Sequence, residues 1–377
     1  MSETKSPVGE ILRRGMESLS PLAPIADAAE VKRRSGREVA RIGTNENPMA
    51  PSPAAVAAAE RALKEPNRYP DPMSRELRAA IGTHHGLTAE HVFVGNGGDE
   101  VISVFSRALL NEEDEVLIPW PAFSTYVVTA QVAGAQVVLS PLKDHTIDVD
   151  DVLSRITDRT KLLYLCNPNN PTATMLAPED FERIAAAVPA RTVVVSDEAY
   201  RDFVEDEVPY ADTVGRIRRG DAPHLLIVKT FSKVYALAGL RVGCLLGDPE
   251  MIAHLFRAKE FFNVNRVAQA AARAALEDEE HYQKSRAFII GERRYIEAEL
   301  RERDLRYVPS QTNFILIEIG GQDEADAVFE RLLDRGILAR AGKGFGAPGT
   351  VRISIGTREE NERVLAALIE GDTSRGP

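Results

Sequence analysis

The chain has 377 residues, of which 44% are hydrophobic and 27% are charged, a composition typical of globular proteins. Its 46 Lys and Arg residues against 57 Asp and Glu residues give a net charge of −11, which argues against a surface for nucleic acid. Neither a signal peptide nor a run of about 18 apolar residues is found, so we expect a cytoplasmic protein without membrane contact. Cys166 and Cys244 lie in apolar runs and are expected to be core residues, not a disulfide or a metal site.

The pattern of apolar residues predicts an arm followed by a large α/β domain. Residues 1–45 form the arm, with a short amphipathic piece around residues 11–16 and a proline-rich stretch at residues 20–24. From residue 90 onward, apolar β-branched runs alternate with helical patterns. The candidate strands are residues 91–94, 115–119, 136–140, 161–166, 192–198, 224–230 and 242–247. Such runs predict a mostly parallel sheet covered by helices on both faces, in a large domain over residues 46–262.

The pattern changes in the last third of the chain. An Ala-rich, charged stretch from Gln269 to Arg303 predicts one or two helices. Further candidate elements are strands at residues 312–319, 336–340 and 351–356 and a helix at residues 323–335. Thr357 and Glu360 have the spacing of a capping box and predict the start of a final helix. We therefore expect a smaller α+β domain over residues 263–377.

Polar loops follow several of the predicted strands, at the sheet edge where ligands of parallel sheets bind. The loop Gly95–Glu100 precedes a helix, so its backbone N–H groups could bind a phosphate, although a tight turn capped by Asp99 explains the same residues. It matches neither the dinucleotide fingerprint nor a P-loop. The loop Asn167–Thr172 is rigid and rich in Asn, which suits either hydrogen bonding to a ligand oxygen or a structural turn.

Two further strand ends carry charged residues. Asp197 ends an apolar strand, where it could pair with a protonated ring nitrogen within reach of Tyr200, or with an arginine of the core. Lys233 follows another strand, with Ser232 before it and Arg241 after it. A lysine amine forms an imine with an aldehyde once its pKa is lowered, and pyridoxal phosphate requires such a lysine together with an Asp. Each feature alone has an ordinary structural explanation, but their combination favours this cofactor.

Nine segments of the chain resemble histidinol-phosphate aminotransferases, which belong to the fold-type-I pyridoxal-phosphate enzymes. They are NENPMAPSP (45–53), RYPDP (68–72), GNGGDE (95–100), PWPAFSTY (119–126), NPNNPT (167–172), DEAY (197–200), TFSKVYALAGLRVG (230–243), NVNRVAQAAA (263–272) and VRISIGTREEN (351–361). The resemblance covers the chain from about residue 40 onward, in the family's order and spacing. It implies the fold-type-I architecture, a mostly parallel sheet sandwiched by helices plus a smaller C-terminal domain.

The resemblance also implies roles around the cofactor ring. Lys233 would form the Schiff base with pyridoxal 5'-phosphate and later move the proton between substrate and cofactor. Asp197 would keep the ring nitrogen protonated. Asn170 and Tyr200 would hydrogen-bond the ring's phenolic oxygen, and Phe123 would stack on the ring.

The remaining roles concern phosphate and substrate. The cofactor phosphate would be bound by five groups of this chain. These are the backbone of Gly98, Asp99 and Glu100 together with Ser232 and Arg241. Tyr69 would reach the phosphate of the neighbouring subunit, which implies a homodimer with shared active sites. Arg352 would bind the substrate carboxylate or phosphate and Arg340 would assist with the phosphate, with Asn170 and Tyr69 also contacting substrate.

The predicted reaction is transfer of an amino group from histidinol phosphate to 2-oxoglutarate, in two ping-pong half-reactions between small molecules. The alternatives are an aromatic amino-acid aminotransferase or a biosynthetic enzyme that uses the same cofactor for decarboxylation, elimination or replacement. Three departures from the family pattern leave the alternatives open. Ala173 stands where glycine is usual, Gly98 stands where serine is common, and no tyrosine precedes Tyr69.

Overall fold

The computed structural model describes residues 16, 19 and 27–369, so most of the predicted arm, including the pieces at residues 11–15 and 20–24, lies outside the described residues. The helices are α1 Ala28–Ser35, α2 Pro53–Ala62, α3 Arg75–His84, α4 Gly97–Leu109, α5 Thr125–Ala133, α6 Val149–Arg155, α7 Pro178–Ala187, α8 Thr213–Arg219, α9 Pro249–Leu255, α10 Arg266–Glu277, α11 Glu279–Glu302, α12 Gln322–Asp334 and α13 Arg358–Ile369. The strands are β1 Ala40–Arg41, β2 Val92–Gly95, β3 Glu115–Trp120, β4 Gln136–Pro141, β5 Thr160–Cys166, β6 Val193–Asp197, β7 Leu225–Thr230, β8 Gly243–Leu246, β9 Tyr307–Val308, β10 Phe314–Glu318, β11 Ile337–Leu338, β12 Arg340–Ala341 and β13 Thr350–Ser354. Within the described part of the chain, no helix is both long and apolar enough to span a membrane.

The central sheet has seven strands in the order β2-β8-β7-β6-β5-β3-β4. Strands β3 to β7 pair in parallel, whereas β8 runs antiparallel to both of its neighbours, β2 and β7. These are the seven strands predicted for the large domain, each within a few residues of its expected bounds. The prediction of a mostly parallel sheet is confirmed, and β8 is the strand that makes it mixed.

Side-chain alternation along the buried strands places apolar groups on both faces of the sheet. In β5, Leu163 and Leu165 belong to the core cluster on one face, and Leu162 and Tyr164 belong to the cluster on the other. All four are at most 1% exposed. Burying one leucine side chain contributes about 1.5–3 kcal/mol, so the two helical layers hold the sheet rigid beneath the loops at its edge.

A second, four-stranded antiparallel sheet has the order β12-β13-β10-β9 and packs beside the C-terminal helices.

Two contacts within the described residues cross the predicted domain boundaries. Strand β1, which falls in the predicted arm, pairs in parallel with β11 of the C-terminal region. Helix α10, which falls in the predicted small domain, packs through Ala268, Ala271, Ala272 and Ala275 into the core beside the large sheet. The boundaries at residues 45 and 262 remain predictions.

The C-terminal helices begin at polar caps. The main-chain N–H of Thr357 donates to the Glu360 carboxylate at 2.8 Å, and the N–H of Glu360 donates to the Thr357 hydroxyl at 3.3 Å, which confirms the predicted capping box. The stretch predicted as one or two helices is two, α10 and α11. Asp278 lies between them, and its carboxylate accepts a hydrogen bond from the N–H of His281 in the first turn of α11.

The close approach of β8 to the start of α4 makes Gly243 a sensitive position. A Cβ atom at Gly243 would lie 2.6 Å from the backbone of Gly97 and Gly98. We expect Gly243→Ala to lower the free energy of unfolding by about 1–3 kcal/mol through overpacking, as measured by urea denaturation. Gly291→Ala is the matched control, because this exposed residue of α11 has open space around its Cβ position and gains up to about 1 kcal/mol in helix propensity. An unchanged urea midpoint for Gly243→Ala would contradict the expected contact.

Candidate active site

A cavity of about 330 Å³ lies at the carboxyl ends of β5, β6 and β7, beside the first turn of α4. Parallel sheets bind ligands at this edge because several strand ends and helix N-termini converge there. Nine of the site residues predicted from the sequence line the cavity: Gly98, Asp99, Phe123, Asn170, Asp197, Tyr200, Ser232, Lys233 and Arg241. Glu100, Tyr69, Arg340 and Arg352 do not form its wall.

Asp197 is the last residue of β6 and is only 4% exposed. Its carboxylate accepts hydrogen bonds from the Tyr126 hydroxyl at 2.5 Å and from the N–H of Ala199 at 3.0 Å. Burial raises the pKa of Asp197 to about 6, although the Tyr126 hydrogen bond opposes this shift. Within residues 27–369 no cation pairs with it. A buried carboxylate that faces a cavity without a counter-ion suits a ligand with a protonated nitrogen.

Tyr126 was not singled out from the sequence as a site residue. It is fully buried, and its ring stacks on Tyr164 with 4.1 Å between the centroids. The packing fixes the phenol so that its hydroxyl points at Asp197. Tyr126 ends the segment PWPAFSTY that carried the family resemblance, but nothing in that segment indicates a contact with a residue 71 positions away.

Lys233 lies in the loop after β7, is half-buried and lines the cavity. Burial lowers the pKa of this amine to about 8, and the positive charges of Arg352 and Arg241 act in the same direction. The ammonium donates hydrogen bonds to the carbonyl oxygen of Asn45 at 3.0 Å and to that of Thr44 at 3.5 Å. A lysine whose pKa is lowered in this way carries enough free amine near neutral pH to attack an aldehyde.

Asn45 is the second residue that sequence reasoning missed. Besides accepting from Lys233, it donates from its side-chain amide to the Tyr200 hydroxyl at 3.0 Å. Its side-chain oxygen accepts from Ser354 at 3.1 Å, and its carbonyl accepts from Asn313 at 3.0 Å. Asn45 therefore connects the lysine, the tyrosine and the C-terminal sheet. The segment NENP was noticed in the sequence, but only the fold brings it to Lys233.

The first turn of α4, Arg241 and Ser232 form a corner of the cavity that is rich in hydrogen-bond donors. The Arg241 guanidinium donates to Asp99 at 3.0 Å and to the Ser232 hydroxyl at 3.5 Å. A Cβ atom at Gly97, where φ is +81°, would lie 2.5 Å from the guanidinium, so glycine allows both the turn and this close approach. A helix N-terminus, a guanidinium and a hydroxyl at one corner suit a phosphate.

Glu100 holds this corner in shape from outside the cavity. Its carboxylate accepts hydrogen bonds from the N–H of Asn96 at 2.5 Å and from the side-chain amide of Asn263 at 2.9 Å. These contacts fix the turn that precedes α4. The predicted role of its backbone N–H toward phosphate stays a prediction.

Arg352 lies in β13 behind the Asn170 side of the cavity and is 8% exposed. Its guanidinium donates to the Asn170 side-chain oxygen at 2.5 Å and to the carbonyl of Gly43 at 3.0 Å. Burial lowers its pKa to about 10, and Arg340, its cross-strand partner, acts in the same direction. Within residues 27–369 neither arginine has a carboxylate partner. Two adjacent cations without counter-ions favour an anionic ligand.

Tyr69 is not brought to the cavity of its own chain. It is 76% exposed, and its ring stacks on Phe262 with 4.2 Å between the centroids. Its contact with the cofactor phosphate of a neighbouring subunit stays a prediction.

The donor set fits pyridoxal 5'-phosphate at three points. The Lys233 amine suits its aldehyde, the Asp197 carboxylate suits its ring nitrogen, and the corner of Arg241, Ser232 and the α4 N-terminus suits its phosphate. Phe123 and Tyr200 add aromatic and hydroxyl groups to the same wall. The fold and site together define a fold-type-I pyridoxal-phosphate enzyme.

Comparison with known proteins gives the family. The profile of aminotransferase class I and II matches residues 37–368, and the chain belongs to this family. It is 38% identical over 358 residues to the histidinol-phosphate aminotransferase of Symbiobacterium thermophilum, covering 95% of this chain and 97% of the relative. The corresponding protein of Anaeromyxobacter sp. is 40% identical over 353 residues, covering 93% and 96%.

A solved structure agrees with these relatives. The crystal structure of histidinol-phosphate aminotransferase from Sinorhizobium meliloti in complex with pyridoxal-5'-phosphate superposes with a TM-score of 0.86 at 27% identity, covering 97% of this chain and 98% of that one. The predicted family, fold class, enzyme class and cofactor are thereby confirmed. The roles of individual residues remain predictions that rest on the geometry above.

Asp197→Asn tests the buried charge directly. In the wild type, the raised pKa of about 6 contributes stability at low pH that is lost as the pH rises and the buried carboxyl ionises. Asparagine does not titrate, so the variant should gain stability relative to the wild type by roughly 1–2 kcal/mol between pH 5 and pH 8. Urea unfolding of the cofactor-free proteins measures this difference. Glu112→Gln, on an exposed turn, controls for loss of a carboxylate, and a pH-independent effect of Asp197→Asn would refute the explanation.

Proposed function

We propose that this chain transfers the amino group of histidinol phosphate to 2-oxoglutarate, producing imidazole acetol phosphate and glutamate. The observation that carries the proposal is the pair of arginines without counter-ions, Arg352 and Arg340, opposite each other on β13 and β12. Residues directly opposite in an antiparallel pair share one face of the sheet. Two guanidinium groups on one face suit a phosphate better than they suit an uncharged aromatic ring. The names of the relatives agree with this substrate.

The residues of the chain have distinct tasks in this reaction. Pyridoxal phosphate, when bound, supplies a ring that withdraws electrons from the substrate Cα. Asp197 holds a proton on the ring nitrogen, and Tyr126 fixes the orientation of that carboxylate. Lys233 carries the proton to and from the substrate through its amine, whose lowered pKa lets it both accept and release a proton near neutral pH. Arg241 and Ser232 bind the cofactor phosphate.

One substrate pocket has to accept two different anions in turn. Histidinol phosphate has a phosphate and no carboxylate, whereas glutamate has two carboxylates. A guanidinium binds either anion through two parallel hydrogen bonds, so Arg352 can serve in both half-reactions. Asn170, which accepts a hydrogen bond from Arg352, links this cation to the cofactor side of the cavity.

A panel of amino donors tests the substrate. The purified holoenzyme is mixed in single-turnover experiments with histidinol phosphate, histidinol, glutamate, phenylalanine and tyrosine, and the absorbance of the cofactor is followed. We expect histidinol phosphate and glutamate to react, and histidinol to react at least about tenfold more slowly because it lacks the charge-assisted contacts to arginine. Lys233→Ala is the control, and it should fold and show no turnover with any donor.

Each outcome of this panel is informative. Reaction with phenylalanine and tyrosine but not with histidinol phosphate would replace the proposal by an aromatic amino-acid aminotransferase. A cofactor that binds but reacts with no donor of the panel would point to a different reaction on the same cofactor. Turnover by Lys233→Ala would refute the assignment of the lysine.

The proposal includes a homodimer with shared active sites and a cytoplasmic location. Tyr69, Phe261 and Phe262 form an aromatic patch in which Tyr69 is 76% and Phe261 is 69% exposed. Large aromatic side chains exposed together are typical of an interface between proteins. A second copy of the chain would cover this patch and place Tyr69 beside the neighbouring site. Both cysteines are buried and free, as suits a reducing compartment.

Complementation between inactive variants tests the shared site. Lys233→Ala inactivates its own site, whereas Tyr69→Ala should damage the site of the neighbouring subunit. A mixed dimer then contains one intact site, so random mixing should restore about a quarter of the wild-type activity. Lys233→Ala mixed with Arg241→Ala is the matched control, and it should restore nothing because both residues serve their own chain. Absence of restoration with Tyr69→Ala, despite exchange of subunits, would show that Tyr69 does not cross the interface.

A further inference from the structure

A buried ion pair lies behind the catalytic cavity, and neither of its residues has a role in the proposed reaction. The Lys229 amine donates to the Glu198 carboxylate at 3.0 Å, and the two side chains are 17% and 2% exposed. Removing two charges from water is costly unless both are well partnered. Neither residue lines the catalytic cavity; both line a second, polar cavity of about 510 Å³.

The pair joins the two strands that carry the main catalytic groups. Glu198 directly follows Asp197 at the end of β6, and Lys229 is the second-last residue of β7, four residues before Lys233. The N–H of Glu198 donates to the carbonyl of Val228 at 2.9 Å, so the pairing of β6 with β7 continues past Asp197. Because side chains alternate along a strand, Lys229 points away from the cavity that its neighbour Thr230 lines.

The Glu198 carboxylate accepts hydrogen bonds from three donors. Besides Lys229, the hydroxyls of Ser196 and Thr213 donate to its other oxygen at 3.1 Å and 2.5 Å. These contacts fix the carboxylate in an ion pair one residue away from Asp197.

Two other cations line the same cavity, but Arg201 stacks on the Tyr210 ring and Arg286 pairs with Asp206, so neither takes the place of Lys229 at Glu198. His85 lines the same cavity, but burial and the adjacent Lys229 lower its pKa to about 2, so it is uncharged. Asp202 is a further anion, and Cys244 is a buried thiol whose pKa is raised by burial to about 12. Burial opposes the charge of Lys229, but Glu198 and Asp202 outweigh it and raise the pKa of the amine.

The groups that face Asp197 leave its charge sensitive to this pair. Tyr126 donates to it from α5, while Cys166 of β5 is an uncharged thiol and Asp99 of α4 is another anion. Burial raises the pKa of Asp197, and the negative charges of Glu198 and Asp99 act in the same direction. Without Lys229, Glu198 would lose its ion-pair partner, and its charge would act more strongly on Asp197.

We propose that Lys229 and Glu198 are a positioning pair for the transamination, in which Lys229 cancels the charge of Glu198 so that Asp197 stays ionised opposite the cofactor's ring nitrogen. The inference rests on the proposed function, since it assumes that Asp197 holds that nitrogen protonated. The pair acts through Asp197 and touches neither substrate nor cofactor.

The two single variants should act with opposite signs. Lys229→Met leaves the Glu198 charge uncompensated, which favours a proton on Asp197 and removes it from the ring nitrogen. Glu198→Gln leaves the Lys229 charge instead, which favours ionised Asp197 and a protonated ring. The double variant carries neither charge and should resemble the wild type. A purely structural pair would give losses in the same direction in both single variants.

The experiment uses holoenzyme loaded with pyridoxal 5'-phosphate labelled with ¹⁵N in the ring. The ¹⁵N chemical shift reports protonation of the ring nitrogen and is followed between pH 6 and pH 9. We expect the N-protonated fraction at pH 6 to fall in Lys229→Met, because the uncompensated Glu198 charge draws the shared proton toward Asp197, and to rise or stay in Glu198→Gln. In Lys229→Met, kcat should fall about tenfold while KM changes little. Lys229→Arg keeps the charge and should restore the wild-type shift.

Arg191→Met is the matched control. Arg191 pairs with Asp114 at 2.7 Å, a carboxylate that is 1% exposed near the opposite edge of the same sheet. Arg191→Met also leaves a buried carboxylate, Asp114, without its cation. This variant should therefore be less stable than the wild type but have an unchanged ¹⁵N shift. If Lys229→Met does not fold, Glu198→Gln and the double variant still carry the test, since neither contains an unpaired buried carboxylate.

The outcomes separate this proposal from the proposed function. A wild-type ring nitrogen that is unprotonated, or that is unaffected by Asp197→Asn, would overturn the role of Asp197 and the proposal with it. A protonated wild-type ring that responds to Asp197→Asn but is unchanged in Lys229→Met would overturn the positioning pair alone. Shifts in the same direction for Lys229→Met and Glu198→Gln would do the same.

Discussion

A buried carboxylate without a cation is the feature on which the rest of the site depends. Asp197 ends a strand whose apolar residues are enclosed by two layers of helices, so its position is set by the packing of the sheet. The protein supplies two hydrogen bonds to this carboxylate but no positive charge within the described residues. The missing charge has to come from a ligand. Cofactor binding and the stability of this region are consequently linked.

The C-terminal sheet has the opposite arrangement, with cations that lack an anionic partner among the described residues. Arg352 is a buried cation whose described partners are an amide and a carbonyl, and Arg340 lies beside it. The cavity thus has an anionic end for the cofactor ring and cationic groups for phosphate and substrate. Residues 40–47 join the two sides, because β1 pairs with β11 and Asn45 bonds to both Tyr200 and Ser354. Packing alone would not favour such separated charges, and proteins commonly give up stability at sites of this kind.

Much of this arrangement could be predicted from the sequence, because apolar runs mark the strands and polar residues mark their ends. Nine predicted residues line one cavity for that reason. The predictions failed to include groups whose role depends on distant contacts. Tyr126 reaches Asp197 from a helix two strands away in the sheet order, and Asn45 reaches Lys233 from the start of the chain. Likewise, the Ala-rich surface of α10 fits either domain by composition, and only the fold shows that it packs on α2 and α3.

Several non-glycine residues around the cavity have strained backbone conformations. Asn45, Ala173, Ala236 and Arg241 all have positive φ near +60°, a region that costs non-glycine residues about 1–2 kcal/mol. Ala173 directly follows the loop Asn167–Thr172 and stands where glycine is usual in the family that the sequence resembles. Its backbone is left-handed, with φ of +66°, and the Ala173 methyl is fully buried against the core that contains Tyr200. Burying one methyl group offsets roughly 0.8 kcal/mol of that strain. The turn leaves Asn170 in position to accept a hydrogen bond from Arg352.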